Sequence, residues 1–351
     1  MDFFLRQLEP LLREATERLG RFVGASRDDL VFVENATAAM NIVAASTKLS
    51  PGDEVLWTDH EYGAVQRLWK RVCTRAGAAV RMAALPFPLT SRDQVIEAIF
   101  ERVTPRTRLI IVSHVTSPTA TILPVPAICR RAREQGIPVC VDGPHAVAMI
   151  PLELRRLGCD FYTASCHKWL SAPFGTGFLW IARHRQNGIE PAVVSWGRSV
   201  AGRPPHWKDE FQWIGTRDPA GFLAVPAAVE FLESCGLATF RDETHGLAEQ
   251  ARARIVAVTG LEPPIPNSPD WYGSMISLPL PPLAGDPLKP GYRDPLQDRL
   301  WDRHRIEVPV VHWQGRRFLR VSCHLYNTTA DIEQLAEALA TELGKSHPAA
   351  R

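Results

Sequence analysis

The chain has 351 residues, 45% hydrophobic and 22% charged, and its 40 Lys and Arg against 38 Asp and Glu leave a net charge of +2. That length fits two compact lobes, the composition excludes a disordered or fibrous protein, and the balanced charge provides no overall field for nucleic acid or an anionic membrane. No apolar run approaches the roughly 18–20 residues of a membrane span. The charges at Asp2, Arg6, Glu9, Arg13, Glu14, Glu17 and Arg18 are unlike a secretory signal, so a cytoplasmic protein with a small-molecule partner is expected.

Phe4, Leu8, Leu11, Leu12, Ala15 and Leu19 recur at three- and four-residue intervals up to Gly20, which predicts an amphipathic N-terminal helix over residues 1–20 stopped by glycine. From Leu30, short β-rich runs alternate with helical stretches. LVFV precedes TAAMNIVAAS, DEVLWT precedes EYGAVQRLWKRVCTRAG, RLIIVSHV precedes VPAICRRAREQG, and IPVCVD follows. Such alternation predicts βαβ units and a mainly parallel sheet covered by helices, an α/β large domain over residues 21–237.

After DFYTASCHKWL, GTGFLWIA and the helical GFLAVPAAVEFLESCG the pattern changes. A polar helix, the strand GSMISLPLP, a proline-rich surface loop between Leu278 and Pro295, the helix PLQDRLWDRHR, two strands and a closing helix predict a smaller C-terminal α+β domain over 238–351. The seven cysteines are scattered without a CxxC pair. They predict reduced, mostly buried thiols, with no disulfide framework and no thiolate metal site.

Ligands of α/β sheets gather at the carboxyl ends of strands. There, Asp142-Gly143-Pro144-His145 follows IPVCV, and Ser165-Cys166-His167-Lys168-Trp169 follows DFYTA. A strand-end Asp alone suits a helix cap, and a lone lysine suits solvent. Paired on successive strands they fit pyridoxal 5′-phosphate, which needs a lysine amine, a carboxylate facing the pyridine nitrogen, and hydroxyl and N–H groups at a helix N-terminus for its phosphate.

From Leu30 to Asn327 the blocks VENATAAMNIVA, TDHEYGAVQRLW, VSHVTSPTATILPV, VDGPHA, SCHKW, GTRDPA and RVSCHLYN follow in order. In them the chain resembles the class V aminotransferase family of PLP fold type I, within it the isopenicillin N epimerase-like branch. The resemblance implies that Lys168 carries the cofactor and shuttles the α-proton, Asp142 pairs with the pyridine nitrogen, and His145 bonds the cofactor's O3′. It implies phosphate contacts from Ala36, Thr37, Ser165 and His167, completed across a homodimer by Gly215 and Thr216. Tyr62 would stack on the ring, with His60 as the alternative, while Ser117 stands where relatives carry a cofactor-contacting asparagine. Arg320 would hold the substrate α-carboxylate. Relatives also begin with an arm that enters the active-site mouth, whereas this sequence opens at what reads as the following helix, so either the start lies upstream or the pocket is remodelled.

A desulfurase of this family needs a nucleophilic cysteine in the C-terminal lobe, and residues 236–322 contain none. Cys323 lies within a strand, where a structural role is expected. The expected enzyme is a PLP-dependent epimerase acting at the α-carbon of an amino acid or aminoadipyl-type peptide. An aminotransferase and a C–S or β-elimination lyase stand as alternatives, as does a pseudoenzyme scaffold, which the presence of Lys168, Asp142, His145 and Arg320 argues against. No GxGxxG or GxxxxGK[ST] occurs, which speaks against a nucleotide-binding protein.

Overall fold

The N-terminal apolar stripe forms a helix that its first glycine does not stop. In the computed structural model, which describes residues 2–195, 206–283 and 292–345, a π-helical turn at Phe3–Gln7 leads into α1, Leu8–Phe22. Gly20 is buried inside it, where an added Cβ would lie 3.0 Å from the Ala25 carbonyl oxygen. The exit comes later, at Gly24 with φ 65°. The expected stop at Gly20 is therefore corrected: glycine serves close packing there, and the left-handed turn falls four residues on.

The alternating segments then build β1 (Leu30–Val33), α2 (Ala36–Ser46), β2 (Glu54–Thr58), α3 (Gly63–Ala76), β3 (Ala79–Ala83), α4 (Arg92–Phe100), β4 (Thr107–Ser113), α5 (Val125–Glu134), β5 (Val139–Asp142), α6 (Leu154–Leu157), β6 (Phe161–Ser165) and β7 (Gly177–Ile181). The short helices α7 (Asp209–Gln212) and α8 (Ala220–Leu223) and the longer α9 (Val225–Ser234) follow. β3 and α4 were not foreseen. Only Ala83 of β3 is buried, because β3 is an edge strand, so it carries neither an apolar run nor clean alternation.

Among the described residues, seven strands form one sheet in the order β1-β7-β6-β5-β4-β2-β3. β2 through β6 pair in parallel, and β7 runs antiparallel to both β6 and β1. On one face, Val31, Val33, Val55, Trp57, Leu109, Ile111, Leu179 and Ile181 alternate into a core with Met40 and Val43 of α2 and Val65 and Trp69 of α3. Leu30, Leu56, Ile110, Val112, Val139, Val141, Tyr162 and Phe178, which alternate with these and point the other way, are equally buried. Burial on both faces explains the continuous apolar runs that marked these strands in the sequence.

The described chain divides into two compact units. The first comprises residues up to Leu85, Arg92–Val115 and Pro124–Gly236; the second comprises Pro86–Ser91, Thr116–Leu123 and residues from Leu237 onward. Chain order alone does not foresee that two short segments of the first half belong with the second unit.

That second unit contains α10 (Leu237–Thr259), β8 (Met275–Leu280), α11 (Pro295–His304), β9 (Val310–Trp313), β10 (Arg316–Ser322) and α12 (Thr329–Glu342). Its three strands form an antiparallel sheet in the order β8-β10-β9. α12 opens on a Thr328–Asp331 capping box. Of the expected proline-rich loop, Leu278–Leu280 belongs to β8 and Pro295 opens α11, while residues 284–291 lie outside the described residues.

Asp294, fully buried, receives Arg317 Nε at 2.8 Å and Nη2 at 2.9 Å, and His312 Nε2 at 2.6 Å. Burial alone would raise its pKa, but the bonds from Arg317, the Leu296 N–H and His312 outweigh it and hold the carboxyl below its ordinary range. Removing one partner of such a pair strands the other charge. Arg317→Met is expected to destabilise the protein by about 3–5 kcal/mol, read as a lower urea midpoint. A midpoint equal to the parent's would show that the triad contributes nothing.

Candidate active site

The carboxyl ends of β5 and β6, both in the first unit, bring together two residues that the sequence only suggested as a pair. Asp142 ends β5 and stands opposite Thr163 of β6 and Ser113 of β4 in the ladder. Just after β6, Lys168 presents Nζ 3.0 Å from His145 Nε2, and Trp169 Nε1 donates to His145 Nδ1 at 3.4 Å. The contact puts the lysine amine and an imidazole nitrogen within reach of proton exchange.

Asp142 is buried, and burial pushes its carboxyl up to about 6 against the opposing effects of the Thr163 hydroxyl, which donates to Oδ1 at 2.8 Å, and the Lys168 charge. Its neighbour Gly143 has no room for a side chain, since a Cβ there would fall on the Tyr162 ring. Tyr162 OH lies 3.0 Å from His114 Nδ1, and the His114 N–H donates to the Asp142 carbonyl. Burial pushes the His114 imidazole down to about 4, so it is neutral at ordinary pH. His114 thus supports the floor of the site through Tyr162.

At the N-terminus of α2, Asn35 caps the helix by accepting from the Ala38 N–H at 2.9 Å, and the Ala36 N–H donates to Ser165 Oγ at 3.1 Å. Thr37 is exposed in the first turn. His167, half-buried, has Nδ1 3.2 Å from the Thr176 carbonyl oxygen. Tyr62 is half-exposed at the start of α3, whereas His60 is fully enclosed with Nδ1 2.7 Å from Asp59 Oδ1. Gly215 has φ 114° and Thr216 beside it is exposed.

The other two expected residues lie in the second unit. Arg320 of β10 donates from Nη1 to the Ser117 carbonyl at 2.6 Å and hydroxyl at 3.0 Å, so Ser117 orients the arginine.

Three residues in this region were not singled out from sequence. Thr163, before the motif, bonds Asp142, and Trp169, its last residue, bonds His145. Glu61 precedes Tyr62 and is buried; it accepts from Thr58 Oγ1 at 2.7 Å, Ser113 Oγ at 2.6 Å and the Ser113 N–H at 3.1 Å. Burial pushes it up to about 7; the Ser113 and Thr58 bonds oppose that rise and the Asp142 charge adds to it. Its only sequence signal was a carboxylate inside the TDHEY block.

A lysine amine against a histidine, a buried carboxylate one strand away and a capped helix N-terminus with a hydroxyl over it form a donor set that fits pyridoxal 5′-phosphate. The model of the aminotransferase class V family matches residues 4–289, and the chain belongs to that family. It is 41% identical to an isopenicillin N epimerase of Amycolatopsis lactamdurans, over 98% of this chain and 88% of that one. It is 28% identical to a probable L-cysteine desulfhydrase of Arabidopsis thaliana, over 96% and 75%. Among solved structures, a cysteine desulfurase of Escherichia coli superposes with TM-score 0.80 at 23% identity, covering 96% of this chain and 85% of that one. The protein is a PLP-dependent enzyme of fold type I.

Both raised carboxyls bind protons more tightly in the folded chain than in the unfolded one. The stability they contribute is complete below the ordinary carboxylate range and is lost as pH rises through about 6 for Asp142 and about 7 for Glu61. The melting temperature of the cofactor-free protein is therefore expected to fall between about pH 5 and pH 8, and Glu61→Gln should flatten the fall. A Glu61→Gln profile as steep as the parent's would assign the loss to other groups.

Proposed function

We propose that the enzyme epimerises the α-carbon of an amino acid or aminoadipyl-type peptide. The observation that carries this reading is the Lys168 Nζ–His145 Nε2 contact of 3.0 Å beside buried Asp142. The 41% identity to an isopenicillin N epimerase supports it.

Bound here, pyridoxal 5′-phosphate supplies an electron sink for the pair left on Cα when its C–H bond breaks. Lys168 would hold the cofactor and, as free amine, take the α-proton on Nζ and return it. His145 would bond the cofactor's O3′. Asp142 would face the pyridine nitrogen, its negative charge favouring a proton there. Ala36, Thr37, Ser165 and His167 would hold the phosphate together with Gly215 and Thr216 of the neighbouring subunit in a homodimer, and Tyr62 would cover the ring. Ser117 would orient Arg320, whose guanidinium fork suits the substrate carboxylate.

A desulfurase thiolate finds no support. Cys323 is buried, its N–H donates to the Ser274 carbonyl, and burial pushes its thiol up to about 12. β-Elimination needs no such thiol, so the desulfhydrase relative supports a lyase as the second reading.

Incubation in deuterated water with L- and D-amino acids and aminoadipyl peptides separates these chemistries. Deuterium at Cα with inversion is the expected result. Pyruvate from L-cysteine would replace epimerase by lyase, and stoichiometric conversion of the cofactor to its amine form would indicate an aminotransferase. Lys168→Ala should reduce turnover by at least about a thousandfold, and borohydride should fix the cofactor to the peptide containing Lys168. Label on a different lysine would overturn the assignment.

A further inference from the structure

Glu34 follows β1 and directly precedes Asn35, the cap of α2, while Arg217 directly follows Thr216. Arg217 Nη1 donates to Glu34 Oε1 at 2.6 Å. The same guanidinium lies 4.8 Å over the Phe222 ring, and Phe222 stacks on Phe32 of β1 with centroids 5.1 Å apart at 21°. Both rings are buried, and the Arg217 side chain is 24% exposed. A guanidinium backed by an aromatic column is more constrained than a surface ion pair, which contributes little.

Gly215 needs such an anchor. Its φ of 114° is a conformation that side chains rarely adopt, yet nothing lies within 4 Å of the space a Cβ would occupy. Packing at Gly215 does not impose the turn, so its flanks must. Phe211 is buried in the core on one side, and Arg217 is the anchor on the other.

We propose that the Glu34–Arg217 pair is a positioning strut that presents the Gly215–Thr216 turn to the cofactor phosphate. This rests on the phosphate site proposed above. In the proposed dimer, the strut would link the phosphate helix of a subunit to the turn that the same subunit offers its neighbour.

The test is equilibrium binding of pyridoxal 5′-phosphate and of pyridoxal, which lacks the phosphate, to cofactor-free protein. The variants are Arg217→Gln, Arg217→Lys, Glu34→Gln and the double variant R217Q/E34Q, with melting curves to confirm folding. Arg217→Gln and Glu34→Gln are expected to weaken pyridoxal 5′-phosphate roughly tenfold while leaving pyridoxal unchanged, and the double variant should be no weaker than either single one. Arg217→Lys, which keeps the charge but loses the planar fork, should fall between. Equal weakening of both ligands, or additive losses in the double variant, would reduce the pair to general stability and overturn the strut. If the parent prefers the phosphorylated ligand and the variants keep that preference, only the strut fails. If the parent binds both ligands alike, the phosphate site fails and the strut with it; Thr37→Val, expected to weaken only the phosphorylated ligand, reports on that site independently.

Discussion

Burying the Asp142 carboxylate at the end of a central parallel strand is the constraint around which the first unit is arranged. A carboxylate taken out of water needs hydrogen bonds and a nearby cation; Thr163 provides the former from the adjacent strand and Lys168 the latter. Both sit on or just after β6, so the pairing of β5 with β6 brings them to Asp142. The sheet must also be tightly closed beneath the site. Tyr162 occupies the space a side chain at Gly143 would need, and His114, just after β4, locks the phenol.

The same β6 strand serves the other end of the site. Ser165 ends it and accepts the Ala36 N–H, fixing the first turn of α2. Three residues later the chain presents Lys168. A single strand end thus sets both the helix N-terminus suited to an anion and the amine, so their separation depends on rigid sheet geometry and not on loop conformation. β7, antiparallel beside β6, restrains that end: Gly177 pairs with Ser165, and a side chain there would collide with the Ala164 carbonyl and the Asn35 backbone.

Glu61 introduces a second buried carboxyl next to the first. Its three donors come from Thr58 and Ser113, so it ties the β2–α3 connection that carries Tyr62 to the end of β4. Two neighbouring carboxyls of raised proton affinity make the charge at this end of the sheet responsive near neutrality.

The sequence by itself determined the fold class and the Asp142, His145, Ser165 and Lys168 constellation, because apolar runs buried on both sheet faces are visible as composition and strand-end motifs are contiguous. It did not reveal β3 or α4, since an edge strand exposed over most of its length lacks the periodicity that burial enforces. It misread Gly20, because a glycine that stops a helix and one that admits a neighbouring backbone look identical in one dimension. Only the tertiary structure decided that Glu61 is buried on Thr58 and Ser113, that His60 is enclosed while Tyr62 is exposed, that Ser117 orients Arg320, and that Arg217 reaches Glu34. Each of these depends on contacts between residues whose separation along the chain carries no signal, and desolvation, which sets their charge, exists only once the sheet has closed around them.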